Sequence, residues 1–161
     1  MVANLKSSTL AVEDLMYFVP QLRGIENSIF IHGKVRGTVA NLKCNDLQLI
    51  IDNDNSVEGD FSFKGLPEIE NTFIYADVKQ LKTSAEGLRK IPVLPFESGN
   101  TLTIPASFSQ LEDIRFAGNF TGYINDFVAF GEFKTELGAL KTDILLKQDK
   151  KLEYKYNGKV S

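Results

Sequence analysis

One stretch, Ile114–Thr135, constrains the fold of this chain more than any other. Its residues alternate so that one side of an extended strand would carry only apolar residues and glycine, at Ile114, Phe116, Gly118, Phe120, Gly122 and Ile124. Asn125-Asp126 supplies turn chemistry, and a second alternation follows through Phe127, Ala129, Gly131 and Phe133. A period of two around a polar turn predicts a long β-hairpin with one charge-free face.

The same hairpin pattern occurs earlier, from Ile29 through a turn near Ala40-Asn41. Two pairs of glycines keep a constant separation of 85 residues, Gly33 with Gly118 and Gly37 with Gly122. We therefore predict a repeat of about 80 residues, in which a unit of four antiparallel strands and a short helix buries its apolar face by stacking on neighbours. The predicted units are 1–9, as the end of a preceding repeat, then 10–81 and 82–161.

Two short helices are predicted at equivalent places in the units. Leu10–Val19 follows the capping residues Ser8 and Thr9 and ends at Pro20, and Ser84–Lys90 is capped by Thr83 or Ser84 and ends before Pro92. Further strands are predicted at Val2–Thr9, Val57–Phe63, Asn71–Leu81, Thr101–Ile104, Leu140–Lys147 and Leu152–Val160.

Glycine recurs on the apolar side of the predicted strands, and it weakens a strand unless curvature or close approach requires it. The pattern therefore predicts an all-β fold with short helices, in which repeated antiparallel strands form a curved, groove-shaped sheet. The predicted groove lining is Ile29, Ile31, Val35, Val57, Phe61, Phe63, Ile114, Phe116, Phe120, Phe127, Phe133, Ile144 and Leu146. The predicted outer face carries Lys34, Arg36, Glu58, Lys64, Arg115, Glu132, Lys134, Lys141 and Asp143.

The same alternation fits a second interpretation, because any half-buried antiparallel sheet shows it. The two predicted helices would then cover the apolar side and form an ordinary hydrophobic core. Two short helices are few for strands that extend about 30 Å, so part of the apolar side would lack a cover. Large uncovered apolar surface usually marks a binding site.

Composition and motifs argue against several function classes. The net charge of −3 provides no basic surface for nucleic acid, and no apolar run reaches the ~20 residues of a membrane-spanning helix. The chain has no P-loop, no GxSxG and no HExxH motif. We therefore predict a protein that is not an enzyme and that holds no cofactor or metal.

Three candidate reactive positions are better explained as structural. His32, the single histidine, alternates with the polar side, and Cys44, the single cysteine, has no partner for a disulfide or a zinc site. The acidic cluster of Asp52, Asp54 and Asp60 lacks the glycine and the terminal glutamate of a calcium loop, which favours a solvated turn. The N-terminus lacks a signal peptide, and both ends of the chain run into strand-like sequence, which predicts a piece of a longer protein.

The sequence resembles the translocation and assembly module TamB family, most of all its long Bacteroidetes versions. The specific part is GLPEIENTFI, IPVLPF and FTGYINDFVAFGEFKTELG, and the resemblance covers essentially the whole chain. It implies a large periplasmic envelope protein, anchored in the inner membrane by an N-terminal helix. It further implies a groove for phospholipid acyl chains, of the AsmA-like and bridge-like lipid-transfer kind. An Omp85-type outer-membrane barrel would be the partner of the full-length protein.

Three functional hypotheses follow from the pattern and the resemblance. The first is lipid conduction along an open apolar groove. The second is a structural or chaperone-like module that holds outer-membrane protein strands at a free sheet edge by β-augmentation. The third is an adhesin-like β array, whose apolar side would be fully covered.

Overall fold

A computed structural model describes residues 2–11, 28–51, 55–90, 104, 109–148 and 154–160. These ranges contain nine strands, a helix α1 (Ala85–Arg89) after the fifth strand, and a 3-10 turn at Ile69–Asn71. The strands are β1 (Val2–Ala11), β2 (Ser28–Thr38), β3 (Asn41–Ile51), β4 (Asn55–Lys64), β5 (Phe73–Thr83), β6 (Ile114–Tyr123), β7 (Asp126–Thr135), β8 (Gly138–Gln148) and β9 (Tyr154–Val160).

The described strands form one open sheet in which each strand pairs antiparallel with the next along the chain. The spatial order is β1-β2-β3-β4-β5-β6-β7-β8-β9, so β1 and β9 lie at the two edges. This arrangement confirms the prediction of an all-β fold with a curved, unclosed antiparallel sheet. A meander of this kind needs only short connections, which matches the hairpin pattern in the sequence.

The hairpin turns lie one residue earlier than predicted. Residues 39–40 connect β2 to β3, and Ile124-Asn125 connects β6 to β7. Ile124 therefore lies in a turn and not on the apolar side of a strand, which corrects the predicted alternation at this position. Gly122 has a φ of 139°, and a Cβ there would lie 2.7 Å from the Cα of Phe127. Glycine is thus required at Gly122 by both the backbone conformation and the close approach of the facing strand.

Of the two predicted helices, the second is confirmed. α1 spans Ala85–Arg89, with Ser84 as the N-cap residue whose Oγ accepts a hydrogen bond from the Gly87 N–H at 2.9 Å. The start predicted for the first helix is wrong, because Leu10 and Ala11 end strand β1. The rest of that helix, like residues 101–103 of the strand predicted at Thr101–Ile104, lies outside the described residues, and Ile104 itself is not in a strand.

The strands of the two predicted units start at similar intervals. β6 begins 86 residues after β2, β7 begins 85 after β3, β8 begins 83 after β4 and β9 begins 81 after β5. The ladder between β5 and β6 joins the two sets into the same sheet without a break. The spacing favours the repeat, whose division at residues 10 and 82 stays a prediction.

Irregular pairing is confined to one half of the sheet. Each strand pair from β1–β2 to β5–β6 contains one register shift, whereas the pairs from β6–β7 to β8–β9 contain none. A bulge adds one residue to one strand and increases the local twist and bend. The first half of the sheet is therefore the half in which bulges contribute to its curvature.

A polar cluster holds the bulge in β3. Asp46, which has a positive φ of 49°, donates its backbone N–H to Asp60 Oδ1 at 2.8 Å. Lys79 Nζ lies 2.9 Å from Asp46 Oδ1 and 3.4 Å from Asp60 Oδ2. The Asp46 N–H and the Lys79 ammonium hold the pKa of the Asp60 carboxyl below its usual value. Because these groups are exposed, the ion pairs add little stability, and the backbone hydrogen bond is the contact that fixes the bulge.

The described residues contain few fully buried large side chains. The buried apolar residues are Ile29, Cys44, Leu47, Leu66, Ala76, Ala85, Ile114 and Leu146. Thr72 has the largest completely buried side chain of the described residues, and its Oγ1 donates a hydrogen bond to the Glu68 carbonyl at 2.8 Å. The large aromatic residues at the centre of the sheet are only partly buried. The described strands therefore form a single sheet and differ from a sandwich, in which a second sheet would bury these residues.

Candidate functional site: an apolar sheet face

Hydrogen-bond register places one row of small and apolar residues across the sheet, and this row defines the side that we call the apolar face. Val35 pairs with Cys44, Cys44 with Phe61, Phe61 with Ala76, Ala76 with Phe120, Phe120 with Ala129, and Ala129 with Ile144. Directly paired residues point to the same side of a sheet. The opposite side is called the charged face.

All thirteen residues predicted to line a groove lie on the apolar face. They are Ile29, Ile31, Val35, Val57, Phe61, Phe63, Ile114, Phe116, Phe120, Phe127, Phe133, Ile144 and Leu146. Register brings them together across β2, β4, β6, β7 and β8.

Sequence reasoning missed the contribution of β3 and β5 to this face. Register adds Leu42, Cys44, Leu47, Leu49, Ile51, Ile74, Ala76, Val78 and Leu81. The bulges in these two strands shift the alternation by one residue, so a strict period of two fails across each bulge. The local signal in β3 is Asn45-Asp46, two consecutive polar residues that break the alternation, but it does not identify the facing residue that holds the bulge.

The two faces separate charge completely over β2 to β8. Every position that register assigns to the apolar face in these strands is apolar, glycine, threonine, asparagine or glutamine, and none is charged. The nine residues predicted for the outer face all lie on the charged face, namely Lys34, Arg36, Glu58, Lys64, Arg115, Glu132, Lys134, Lys141 and Asp143. A charge brought onto the apolar face would find no counter-ion there.

The apolar face is large for a surface that is not fully covered. Strands of this length extend about 35 Å, and seven strands span about 30 Å, which gives an area of about 1,000 Å². Apolar patches on soluble monomers rarely exceed a few hundred Å². Phe61, Phe116 and Phe120 are partly exposed, and Phe133 is 36% exposed. These exposures favour the groove interpretation over a closed hydrophobic core.

A row of small residues crosses the strands along the middle of the apolar face. Gly59 pairs with Val78, Val78 with Gly118, Gly118 with Gly131, and Gly131 with Thr142. This row lies between one bulkier row that contains Phe116 and Phe133 and another that contains Phe61 and Phe120. The row runs at right angles to the strands, in the direction in which the predicted repeats would stack.

Aromatic rings cover part of this surface in pairs. The rings of Phe116 and Phe133 are 4.6 Å apart, and those of Phe120 and Phe127 are 4.7 Å apart. The Phe116 ring lies over the paired glycines, since a Cβ on Gly118 or Gly131 would come within 2.7 Å of its Cζ atom. Tilted aromatic pairs of this kind stabilise by about 0.5–1.5 kcal/mol beyond their buried area. The glycines thus provide the space in which a phenylalanine ring lies flat on the sheet.

Among the described elements, α1 is the helix that covers one end of the apolar face. Asn55 Nδ2 donates to the Gly87 carbonyl at 3.4 Å, and Thr83 Oγ1 donates to Asn55 Oδ1 at 2.6 Å. A Cβ on Gly87 would lie 2.6 Å from Asn55 Oδ1, so glycine is what allows the helix to approach this closely. Both anchoring side chains are buried on the apolar face, where they supply the polar partners that a helix resting on apolar side chains would lack.

An apolar cavity of about 430 Å³ lies beside α1 at this end of the sheet. The described residues that line it are all uncharged, namely Leu88, Ile104, Leu111, Ile114, Phe133, Thr135, Leu137, Gly138, Ala139 and Leu140. Ile114, Phe133 and Leu140 belong to the apolar face, so the cavity is continuous with it. A volume of this size lies within the usual range of small-molecule sites.

The wall of the cavity is held by a carboxylate in the turn between β7 and β8. Glu136 Oε1 accepts hydrogen bonds from the backbone N–H groups of Glu112 at 2.8 Å and Asp113 at 3.1 Å. The Leu111 carbonyl accepts from the Ala85 N–H at 2.8 Å, which ties the same segment to α1. Three backbone N–H groups hold the pKa of the Glu136 carboxyl below its usual value. The largest effect comes from its own N–H, and smaller ones come from those of Glu112 and Asp113.

The lowered pKa of Glu136 predicts that the attachment of the cavity wall depends on pH. A carboxyl with a lowered pKa in the folded state stabilises above its unfolded pKa, and that contribution is lost as the pH falls through the folded value. We expect the amides of Glu112 and Asp113 to be protected from hydrogen exchange at neutral pH and to lose protection below the ordinary carboxyl range. Glu136→Ala should remove the protection at every pH, whereas Glu132→Ala, in the neighbouring strand, should not. Unchanged protection in Glu136→Ala would contradict the assignment.

The structure places three of the five candidate reactive residues. His32 lies exposed on the charged face, and Cys44 is buried on the apolar face, where burial raises the pKa of its thiol. Asp60 belongs to the cluster at the β3 bulge, while Asp52 and Asp54 lie outside the described residues. Over the described ranges, the structure has no group of three or more His, Cys, Asp or Glu side chains placed to share a metal ion.

The charged face also carries exposed apolar side chains that the alternation did not predict. Phe30 pairs with Ile50 and Val128 with Leu145, and all four are more than 40% exposed. Phe30 and Ile50 line a concavity of about 240 Å³, and Val128 lies between Thr121 and Leu145 in a row without a charged residue. Among the helices within the described part of the chain, none is long and apolar enough to cross a membrane.

Comparison of the chain with protein-family models, with curated proteins and with solved structures found no match. The family resemblance read from the sequence is therefore a hypothesis. The geometry of the apolar face is the basis for the function proposed below.

Proposed function

We propose that this chain is a segment of a TamB-like bacterial envelope protein that conducts phospholipids between the inner and outer membranes. Acyl chains would lie against the apolar face while the head groups stay in water at its rim. The observation that carries the proposal is the absence of any charged residue among the apolar-face positions of β2 to β8, combined with the partial exposure of the aromatic side chains there.

The physical basis of conduction is the nonspecific nature of hydrocarbon burial. Each buried methylene stabilises by about 0.8 kcal/mol, and this contribution requires no specific polar partner. A chain can therefore bind at many equivalent positions and move between them at little cost. The apolar face continues from strand to strand without a charged position, and so it provides a continuous direction for such movement.

The family resemblance supplies the biological setting of the proposal. A TamB-like protein would lie in the periplasm, anchored in the inner membrane by a helix of the full-length chain, and would support outer-membrane assembly with an Omp85-type barrel. In this setting, stacked repeats would extend the apolar face beyond the present strands. The protein would act passively as a conduit and would need no catalytic residue, metal or cofactor.

The edges of the sheet favour a second candidate. β1 and β9 each pair on one side only among the described strands, and a free edge is what β-augmentation of an unfolded outer-membrane strand requires. A chaperone-like role would use backbone hydrogen bonds at the edge, and so charge on the apolar face would leave it unaffected. Lipid conduction depends on that face and is independent of the edges.

The proposal is tested by the lipids that accompany the purified protein. We expect mass spectrometry of the chain, expressed in the periplasm of a Gram-negative host and extracted without detergent, to detect phospholipids above the level carried by an unrelated β-sheet protein of similar size. Incubation with vesicles of phosphatidylethanolamine and phosphatidylglycerol should load additional lipid. A folded protein that carries no phospholipid under either condition would overturn the proposal.

A further inference from the structure

We propose that a cationic concavity on the charged face binds the phosphate group of a phosphate ester, either a soluble one or a lipid head group. The concavity spans β3, β4 and β5, and the residues that would hold the phosphate oxygens are Lys43, Ser62, Lys64 and Tyr75. These side chains lie on the side of the sheet opposite to the apolar face, so the inference is independent of the proposed conduction of lipid.

Two cations stand directly opposite each other beside this concavity. Arg36 in β2 pairs with Lys43 in β3, and both residues are exposed. Like charges in direct cross-strand pairs are destabilising. Within the described part of the chain, neither side chain forms an ion pair. The repulsion therefore stays uncompensated unless an anion from outside the chain binds here.

A second pair of facing cations, in the other half of the sheet, shows how the fold can compensate such repulsion. Arg115 pairs with Lys134, but Arg115 Nη2 lies 2.8 Å from Asp113 Oδ2, and Lys134 Nζ lies 3.0 Å from Glu132 Oε2. Each of these two cations thus has a carboxylate of its own. A local rule that is broken without compensation is expected at a functional site, and the first pair is the one that lacks compensation.

Register arranges the candidate donors around Ser62. This serine pairs with Lys43 on one side and with Tyr75 on the other, and Lys64 follows it by two residues in β4. Directly paired residues have Cβ atoms about 5 Å apart, so these side chains surround one small residue in a concavity of about 330 Å³. No described residue forms a hydrogen bond with the Ser62 or the Tyr75 hydroxyl. Two ammonium groups and two hydroxyls can therefore donate to one ligand.

Asp60 is the carboxylate among the described residues that line the concavity, and it is already engaged. Its Oδ1 accepts a hydrogen bond from the Asp46 N–H at 2.8 Å, and its Oδ2 lies 3.4 Å from Lys79 Nζ. Along β4 it lies on the side of Ser62 away from Lys64. The part of the concavity between the two lining lysines is thus left for an anion.

The set of donors favours a phosphate ester over a carboxylate ligand. A phosphate monoester carries a charge of about −1.5 to −2 at neutral pH and offers three strong acceptor oxygens, which suits two ammonium groups and two hydroxyls. A carboxylate offers one charge and two oxygens. The half-buried Phe73 ring and the exposed Tyr75 ring line the same concavity, where they would contact the organic group that carries the phosphate.

Binding of glycerol phosphate, measured by isothermal titration calorimetry, tests the assignment. We expect Lys43→Gln and Lys64→Gln each to weaken binding by about tenfold, because each removes a charge-assisted contact, and Lys43→Arg to retain most of it. Lys134→Gln and Lys141→Gln should leave binding unchanged, since these lysines lie on the same face beside a carboxylate. Glycerate, which replaces the phosphate by a carboxylate, should bind at least tenfold more weakly, and equal binding of glycerate would overturn the phosphate assignment.

Vesicles of phosphatidylcholine that contain phosphatidic acid distinguish the two sources of the phosphate. A site for a lipid head group predicts cosedimentation above that with pure phosphatidylcholine, and the excess should disappear in Lys43→Gln. A site for a soluble ester predicts binding of glycerol phosphate without such an excess. If the parent binds neither probe, or if the Lys43 and Lys64 variants bind as the parent does, the proposal is overturned.

Thermal melts of the ligand-free protein separate a ligand-binding role from a structural one. Lys43→Gln removes the repulsion with Arg36, so we expect it to melt at or above the temperature of the parent while it loses phosphate binding. A melting temperature well below that of the parent would show that Lys43 supports the fold, and it would contradict the charge repulsion on which the proposal rests.

Discussion

Valine in place of Gly131 is expected to destabilise the sheet by about 3 kcal/mol, at the upper end of the range for inserting atoms into a packed site. A Cβ at this position would lie 2.6 Å from the Ala117 carbonyl oxygen and would collide with the Phe116 ring. Intrinsic strand preference predicts the opposite sign, because valine favours strands and glycine disfavours them by up to about 1 kcal/mol. The free energy of unfolding, measured in urea, therefore separates close packing from propensity.

The matched control is a substitution of Ala117, which lies next to Gly118, the glycine that pairs with Gly131. Ala117 precedes Gly118 in β6 and is exposed on the charged face. Ala117→Val should leave the free energy of unfolding within about 0.5 kcal/mol of the parent. Equal stability of Gly131→Val and the parent would show that the Phe116 ring does not lie against these glycines.

Phe120→Asp is expected to reduce phospholipid bound to the folded protein at least tenfold. The carboxylate would stand where acyl chains lie, and its transfer from water into hydrocarbon costs several kcal/mol, while each 1.4 kcal/mol corresponds to a factor of ten. The fold should survive, because Phe120 is only partly buried and loses one ring contact, with Phe127 at 4.7 Å. Phe133→Arg should act in the same way, because that side chain is 36% exposed.

Thr121→Asp is the control for position and charge. Thr121 neighbours Phe120 on β6 but is exposed on the charged face, so the same carboxylate should leave lipid binding unchanged. Bound phospholipid is measured by mass spectrometry, and circular dichroism melts confirm that each variant is folded. If Phe120→Asp unfolds the chain and the parent carries no lipid, the apolar face is an ordinary core.

Alternation in the sequence was sufficient to predict the sheet and the composition of its apolar face where strands are regular. β6, β7 and β8 contain no register shift against one another, so a period of two assigns each residue to a face correctly. The same holds for α1, where a capping serine and a short run of helix-forming residues act locally. These features depend on neighbours in the sequence, which is why the sequence alone predicts them.

The bulges, the cavity and the start of the first helix could not be predicted in this way. A bulge such as that at Asn45-Asp46 depends on the facing strand, because Asp60 supplies the acceptor for the Asp46 N–H. The cavity combines Leu88, Leu111 and Leu140, from elements that are distant in the chain. Leu10 was assigned to a helix by its capping pattern, but pairing with Ile29 extends β1 through that position, since tertiary pairing overrides local propensity.

Photocrosslinking from adjacent residues on opposite faces tests the central claim most directly. Benzoylphenylalanine would replace Phe120 in one sample and Thr121 in another, and each would be irradiated with vesicles of phosphatidylethanolamine and phosphatidylglycerol. The account predicts phospholipid adducts from position 120 and none above background from position 121, because register directs only the first toward the apolar face. Adducts of equal yield at both positions, or no adduct at position 120 in the folded protein, would contradict it.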